Sequence, residues 1–233
     1  MSAPSAAVTI EASSDCVARL RRLDACAVSD ALDRLQLTGV VTGIPQRAGH
    51  WRIAGCAVTA KLGVGVRDPN AAPVHLGCTA IESAGPDHVI VIEQRSGVEA
   101  GSWGGLLSLG AKTRGIAGAI VDGPVRDIDE AIGYGFPVFC TQLTALTARG
   151  RIIELGNAVP VQIGSVTVQP GDYVLADQSA VVFISPHNII AVLAAAERIA
   201  AKEAAMARAI TTGTPISQVM GGNYENMLKG NQE

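Results

Sequence analysis

The chain has 233 residues, 48% hydrophobic and 17% charged, with a formal net charge of −3. This balance, without a basic block, excludes an electrostatic nucleic-acid binder, and the length favours one well-filled domain over residues 1–233. Aromatic residues make up only 3%, so Ala, Val, Ile and Leu must fill the core.

The N-terminal stretch MSAPSAAVTIEASSD lacks a basic segment followed by an apolar core, so no secretory signal is expected. No apolar run approaches the roughly 18 residues of a membrane span. Cys16, Cys26, Cys56, Cys78 and Cys140 form no CxxC, which suits reduced thiols in a cytoplasmic protein.

The spacing of Val17, Leu20, Leu23, Val28, Leu32 and Leu35 predicts one helix over Ser13–Gln36, with Ser13 or Ser14 as N-cap. Trp51–Val64 predicts a strand with a bulge at Gly55, and the turn Gly85-Pro86-Asp87 leads into a second strand, His88–Gln94. GGLLSLGAKTRG predicts a helix that opens on Gly104-Gly105 and stops at Gly115. A buried strand, Ile116–Val121, follows and ends in a break at Gly123-Pro124. Next come a short helix over Asp127–Gly133 and a strand from Pro137. From Ala158 to Ser185 the alternation, with turns at Gly164-Ser165, Pro170–Asp172 and Asp177–Ser179, predicts antiparallel hairpins. Ser185-Pro186 opens an Ala-rich helix that runs to the neighbourhood of Ile210. The sum is a mixed α/β domain without internal repeats.

The stretch VDGPVRDIDE (Val121–Glu130) sets a cation and an anion, Arg126 and Asp127, at the carboxyl end of a strand, where open α/β sheets bind ligands. The start of the Gly104 helix offers N–H groups to an anion. Arg126 offers a planar fork to a carboxylate. Asp127 offers an oxygen ligand to a hydrated divalent cation such as Mg²⁺ or Mn²⁺. Those three together suit a small 2-oxo acid. By spacing alone, an Arg-Asp pair beside a turn reads more readily as a solvated pair or a helix cap. His75 is a candidate acid or base whose commoner reading is a surface or packing histidine. Lys112, between polar neighbours, reads as a solvated helix face, and no GxGxxG or P-loop occurs.

The segment WGGLLSLGAKTRGIAGAIVDGPVRDIDEAIGYGFPVF resembles the centre of the RraA-like family. That family includes the 4-hydroxy-4-methyl-2-oxoglutarate/4-carboxy-4-hydroxy-2-oxoadipate aldolases and the regulators of ribonuclease E. VSDALDRL, PGDYVLADQSAVVFI and AAERIAAKEAAM are similar too, so the resemblance covers most of the chain. It implies a swivelling β/β/α sandwich (αββα), assembled as a homotrimer or homohexamer with sites at subunit boundaries. It also implies a divalent-metal-dependent class II-type aldolase or lyase that yields pyruvate, with oxaloacetate decarboxylation beside it. By the resemblance, Arg126 binds a substrate carboxylate and Asp127 holds the metal. The amides of Gly104, Gly105, Leu106 and Leu107 bind the pyruvyl end. Glu203, on the apolar stripe of the terminal helix, reaches the metal waters from a neighbouring subunit. The non-catalytic regulators of ribonuclease E are the alternative; they lack the aspartate that this chain keeps. One departure stands out: the aldolases carry Asp or Glu where this chain has Gly105. The proton relay is then incomplete: if that only weakens the aldolase, Gly105→Asp should raise turnover, and no gain would indicate a pocket for another substrate.

Overall fold

The structure is a computed structural model, and residues 14–66 and 75–221 are the ones described. The N-terminal apolar stripe is carried by two helices, not one. Residues 14–20 form α1 and Ala25–Arg34 form α2. Between them Asp24 adopts extended backbone and accepts from the Ala27 N–H at 2.8 Å, an N-cap that starts a new helix inside the periodic run. Ser14 does not cap; it lies within α1 and its hydroxyl donates to Asp87 at 2.9 Å. Ser13 lies outside the described residues.

The strands are β1 (Val40–Val41), β2 (Gln46–Ala48), β3 (Ile53–Gly63), β4 (His88–Glu93), β5 (Gly118–Val125), β6 (Val138–Leu143) and β7 (Ile153–Asn157). They continue with the pair β8 (Val161–Ile163) and β9 (Val166–Val168), then β10 (Tyr173–Ala176) and β11 (Val181–Ile184). One sheet runs β1-β11-β10-β3-β4-β5-β6-β2, with β7 also paired to β3, while β8 and β9 form a separate hairpin. Its centre, β3 to β6, is parallel and its flanks are antiparallel. The crossovers of the centre carry α3 (Cys78–Ser83), α4 (Gly105–Thr113) and α5 (Ile128–Gly133); α6 (Ile189–Thr211) and α7 (Ile216–Val219) follow the sheet.

Side-chain alternation along β3 decides the layering. Ala54 and Cys56 face the core under α1, α2 and α6, and Ala60 and Leu62 on the same face meet the core under α3, α4 and α5. Ile53 and Ala57, on the other face, join a third core in which Phe183 of β11, Phe139 of β6 and Ile163 of β8 share one cluster. The sheet therefore folds over its inner face, with a helical layer outside each half.

Three local expectations are corrected. Gly55 makes no bulge: it pairs in register with Val174, and a Cβ there would stand 2.8 Å from the Asp87 carbonyl oxygen. Gly123-Pro124 does not end its strand, because β5 continues to Val125 across a register shift between Val121 and Pro124, an irregularity where proline is tolerated. Pro186 sits in a turn ahead of α6 rather than in its first turn. All five cysteines are free thiols, and among the described residues no helix is long and apolar enough to cross a membrane.

Arg19 of α1 clamps Glu197 of α6 through two bonds of 2.7 and 2.8 Å, which holds the Glu197 carboxyl below its ordinary pKa. With both side chains partly exposed, Glu197→Gln is expected to cost only about 0.5 kcal/mol at neutral pH. A depressed carboxylate stabilises above its unfolded value near 4.5 and loses that contribution as pH falls through the folded value. Urea unfolding at neutral and acidic pH checks this: the gap between wild type and variant should close in acid.

Candidate active site

The end of β5 is stitched to the loop that precedes α4. Pro124 accepts from the Ser102 N–H at 2.8 Å, and the Arg126 N–H donates to the Trp103 carbonyl at 3.0 Å. Trp103 is buried and stacks on Phe136 with ring centroids 6.1 Å apart. Its indole N–H donates to Ser108 Oγ at 2.8 Å, and that hydroxyl bonds the Gly104 carbonyl at 3.0 Å. Buried polar groups satisfied in this way fix one geometry, so the start of α4 cannot drift from the end of β5.

Upon that frame three charged side chains lie over three glycines. A Cβ on Gly101 would come within 2.8 Å of Arg126 Cγ, and one on Gly104 within 2.9 Å of Asp127 Oδ2. One on Gly105 would overlap the carboxylate of Glu130, 1.7 Å from Oε2 and 3.0 Å from its Cβ. The motif GSWGG thus leaves a bare backbone floor for Arg126, Asp127 and Glu130. The space that an acidic side chain at position 105 would need is filled by an acidic side chain from α5.

Asp127 has φ 55° and ψ 39°, the left-handed region that a non-glycine residue enters at a cost and Asp more readily than most. Its carbonyl accepts from the N–H groups of Glu130 and Ala131, which opens α5, but its carboxylate does not cap that helix. It turns back instead to accept from Arg126 Nε at 3.1 Å to each oxygen and from the Gly105 N–H at 3.3 Å. Asp127 is thus the N-cap of α5 by position, while its carboxylate serves Arg126 and Gly105 instead of the helix. Side-chain exposures of 36% for Arg126 and 32% for Asp127 leave both open to a ligand.

The two residues face a cleft of about 220 Å³, smaller than the roughly 300–1,000 Å³ of sites for drug-sized ligands. Gly104, Gly105, Leu106 and Leu107 line it, so four of the residues expected to hold substrate share its wall with Arg126 and Asp127. The N–H groups of Leu106 and Leu107 belong to the first turn of α4, where the helix supplies no carbonyl partner. His75 lies at the same cleft, exposed, with Nδ1 3.0 Å from the Leu76 carbonyl oxygen. Lys112 lies away from it and donates to the Gly135 carbonyl at 3.0 Å.

Glu203 is not brought to Asp127 within the chain. It belongs to α6, in the other helical layer, where burial and the nearby carboxylates of Asp24 and Asp30 raise its pKa. Glu130 was overlooked in reading the sequence, although it stood in view within VDGPVRDIDE. A second carboxylate three residues after Asp127, at the opening of a helix, falls on the same face one turn later.

The chain belongs to the RraA-like family: the family model, described as Aldolase/RraA, matches residues 25–183. A protein of Halalkalibacterium halodurans named "Putative 4-hydroxy-4-methyl-2-oxoglutarate aldolase" is 32% identical over 202 residues, covering 86% of this chain and 91% of that one. Protein DlpA of Legionella pneumophila is 28% identical over 200 residues, 86% of this chain, yet the chain spans only 32% of DlpA. A crystal structure of an uncharacterized Pseudomonas syringae protein superposes with a TM-score of 0.77 at 27% identity, covering 88% of this chain and 92% of that one. Streptomyces coelicolor RraAS2, titled an unusual member of the RNase ES inhibitor RraA protein family, superposes with a TM-score of 0.71 at 23% identity and shares the fold. It covers 87% of this chain and 96% of its own. The α/β sandwich expected from the sequence is the fold of this family. Its members carry the names of aldolases and of RNA-processing inhibitors alike, so lyase chemistry is supported at the level of the family.

Proposed function

We propose that this chain is a carbon–carbon lyase that cleaves a small 4-hydroxy-2-oxo acid, of the 4-hydroxy-4-methyl-2-oxoglutarate type, to pyruvate, and that it also decarboxylates oxaloacetate. The observation that carries this reading is the placement of Arg126 and Asp127 over the glycines of one small cleft, with the Glu130 carboxylate against Gly105. A non-catalytic binding protein has no need of a strained aspartate that turns its carboxylate away from its own helix.

The residues fit a divalent cation of a particular kind. Asp127 offers carboxylate oxygens at the cleft, while among the described residues no three His, Cys, Asp or Glu side chains gather as a metal cage. One protein carboxylate suits Mg²⁺ or Mn²⁺, which keep several waters and accept substrate oxygens. Such an ion, when held by Asp127, supplies Lewis-acid polarisation of the 2-oxo group.

The chain's own groups do the rest. Arg126 spends Nε on Asp127 and keeps its terminal nitrogens for the 2-oxo acid's carboxylate. The free N–H groups of Leu106 and Leu107 support the same end of the substrate. In retro-aldol cleavage a base takes the proton of the 4-hydroxyl, the C3–C4 bond breaks, and the electron pair passes into the enolate of pyruvate, later protonated at C3. Decarboxylation breaks the corresponding bond, releases CO₂ and needs only that last proton. Glu130, whose carboxylate lies against Gly105, is the base in this scheme, acting through one water. A carboxylate from α5 thus replaces the acid missing at position 105.

A homotrimer or homohexamer in which Glu203 of a neighbouring copy joins the Asp127 site completes the proposal. Mixing inactive Asp127→Ala and Glu203→Gln chains and reassembling them should restore part of the activity, since some sites then combine two intact halves. Mixed oligomers that form and stay inactive would remove Glu203 from the site. The reading as a whole is tested by pyruvate release from oxaloacetate and from 4-hydroxy-2-oxo acids with Mg²⁺ and with EDTA. Chelator-sensitive release is expected. No release from any of them, by folded protein with Mg²⁺ or Mn²⁺, would favour the binding protein.

A further inference from the structure

We infer that Arg149 is the specificity-determining residue that receives the distal carboxylate of a dicarboxylic substrate. The inference rests on the 2-oxo acid reading above, which leaves the far end of the substrate without a partner. Two arginines line the cleft, Arg126 and Arg149, and its one carboxylate, Asp127, already lies against Arg126. Among the described residues Arg149 forms no ion pair, in contrast to Arg19, Arg21 and Arg95, which pair with Glu197, Asp87 and Asp122. Apart from His75, the other lining residues carry no ionisable side chain. The charged side chains that line the cleft therefore carry more positive than negative charge. A substrate with one carboxylate satisfies Arg126 and leaves Arg149 idle, whereas one with a carboxylate at each end satisfies both.

Arg149 is also held in register with the rest of the site. It sits on the turn between β6 and β7, where its own N–H donates to Thr147 Oγ1 at 3.3 Å and Ala148 is buried. The Leu146 carbonyl of that turn accepts from the Gly101 N–H at 2.9 Å, and Gly101 is the glycine on which the Arg126 stem lies. One hydrogen bond thus ties the two arginine-bearing segments together. Arg151, two residues on, serves the turn itself by donating to the Thr147 carbonyl at 3.0 Å and does not line the cleft.

The test is calorimetric binding, with Mg²⁺ present, of 2-oxoglutarate and of the monocarboxylate 2-oxobutanoate, which needs no turnover. Wild type should bind the diacid more tightly. Arg149→Gln should weaken the diacid by roughly 10- to 100-fold, the usual worth of a hydrogen bond to a charged group, and the monoacid far less. Arg151→Gln should leave the ratio of the two affinities unchanged. Equal weakening of both acids by Arg149→Gln, an equal shift of the ratio by Arg151→Gln, or no binding of the diacid to wild type would each overturn the assignment. If binding behaves as expected but no 2-oxo acid is cleaved, the lyase reading fails and the Arg149 assignment stands.

Discussion

Asp127→Ala is expected to lower kcat/KM for pyruvate formation by about 10³-fold or more, and with it the affinity for Mg²⁺, since it removes the cleft's carboxylate. The same change disturbs the backbone, because alanine tolerates φ 55° less well than aspartate, a penalty of about 1 kcal/mol. Asp127→Gly separates the two effects. Glycine adopts that conformation freely, so the Gly variant should match or exceed the wild-type Tm while remaining as inactive as the Ala variant. Arg126 loses its partner in both, but at 36% exposure its guanidinium is met by water. Activity measured beside thermal unfolding of the two variants decides the matter. A Gly variant that turns over substrate with Mg²⁺ would show that Asp127 serves only the turn into α5.

The second large effect belongs to Glu130, and it reverses the expectation for Gly105→Asp. That substitution looked like repair of an incomplete proton relay. In the structure its Cβ would stand 1.7 Å from Glu130 Oε2, so the new side chain must evict the carboxylate already there. It would also add negative charge beside Asp127, whose Oδ2 accepts from the Gly105 N–H. Gly105→Ala tests the eviction without the charge. Only the flexible end of Glu130 overlaps outright, and its Cβ at 3.0 Å needs a small shift, so the fold should survive. The gain in helix propensity, up to about 1 kcal/mol, offsets part of that shift. Both Gly105→Ala and Glu130→Gln should lower kcat by about 10²- to 10³-fold, with KM changed far less, as expected for loss of a general base. The double variant Gly105→Asp with Glu130→Gly moves the acid back to position 105. It should be more active than either single change, a non-additivity expected only if the two positions share one space. A double variant no better than its parents would detach Glu130 from proton transfer.

How much of this was legible beforehand follows the range over which each signal acts. The parallel centre was readable because β4 and β5 are buried on both faces and spell continuous apolar runs between turns. The β8–β9 and β10–β11 hairpins were readable because alternation and turn residues are local. The division of the N-terminal helix was not, since Asp24 sits within an unbroken apolar period and acts through its own backbone geometry. Nor was the continuation of β5 through Gly123-Pro124, which depends on a register shift against β6 and on the Ser102 loop beside it. At the site, Arg126 and Asp127 stood out as a charged pair at a strand end, yet only the structure shows that Asp127 opens α5 with its backbone and turns its carboxylate back. Glu130 over Gly105, and Arg149 at the same cleft as Arg126, are juxtapositions of separate segments, and no spacing within either segment encodes them. The glycines of GSWGG read as turn and capping residues until the side chains that rest on them are known.

In the proposed lyase, Arg126, Asp127 and Glu130 together make and protonate the enolate of pyruvate. The most direct measurement needs no knowledge of the physiological substrate. Pyruvate is incubated with the protein and Mg²⁺ in D₂O, and loss of its methyl proton signal is followed by ¹H NMR. Protein-dependent exchange is expected that EDTA abolishes, that Asp127→Gly eliminates and that Glu130→Gln slows by about 10²-fold or more. Exchange no faster than in buffer, from folded wild-type protein with Mg²⁺ or Mn²⁺, would contradict it.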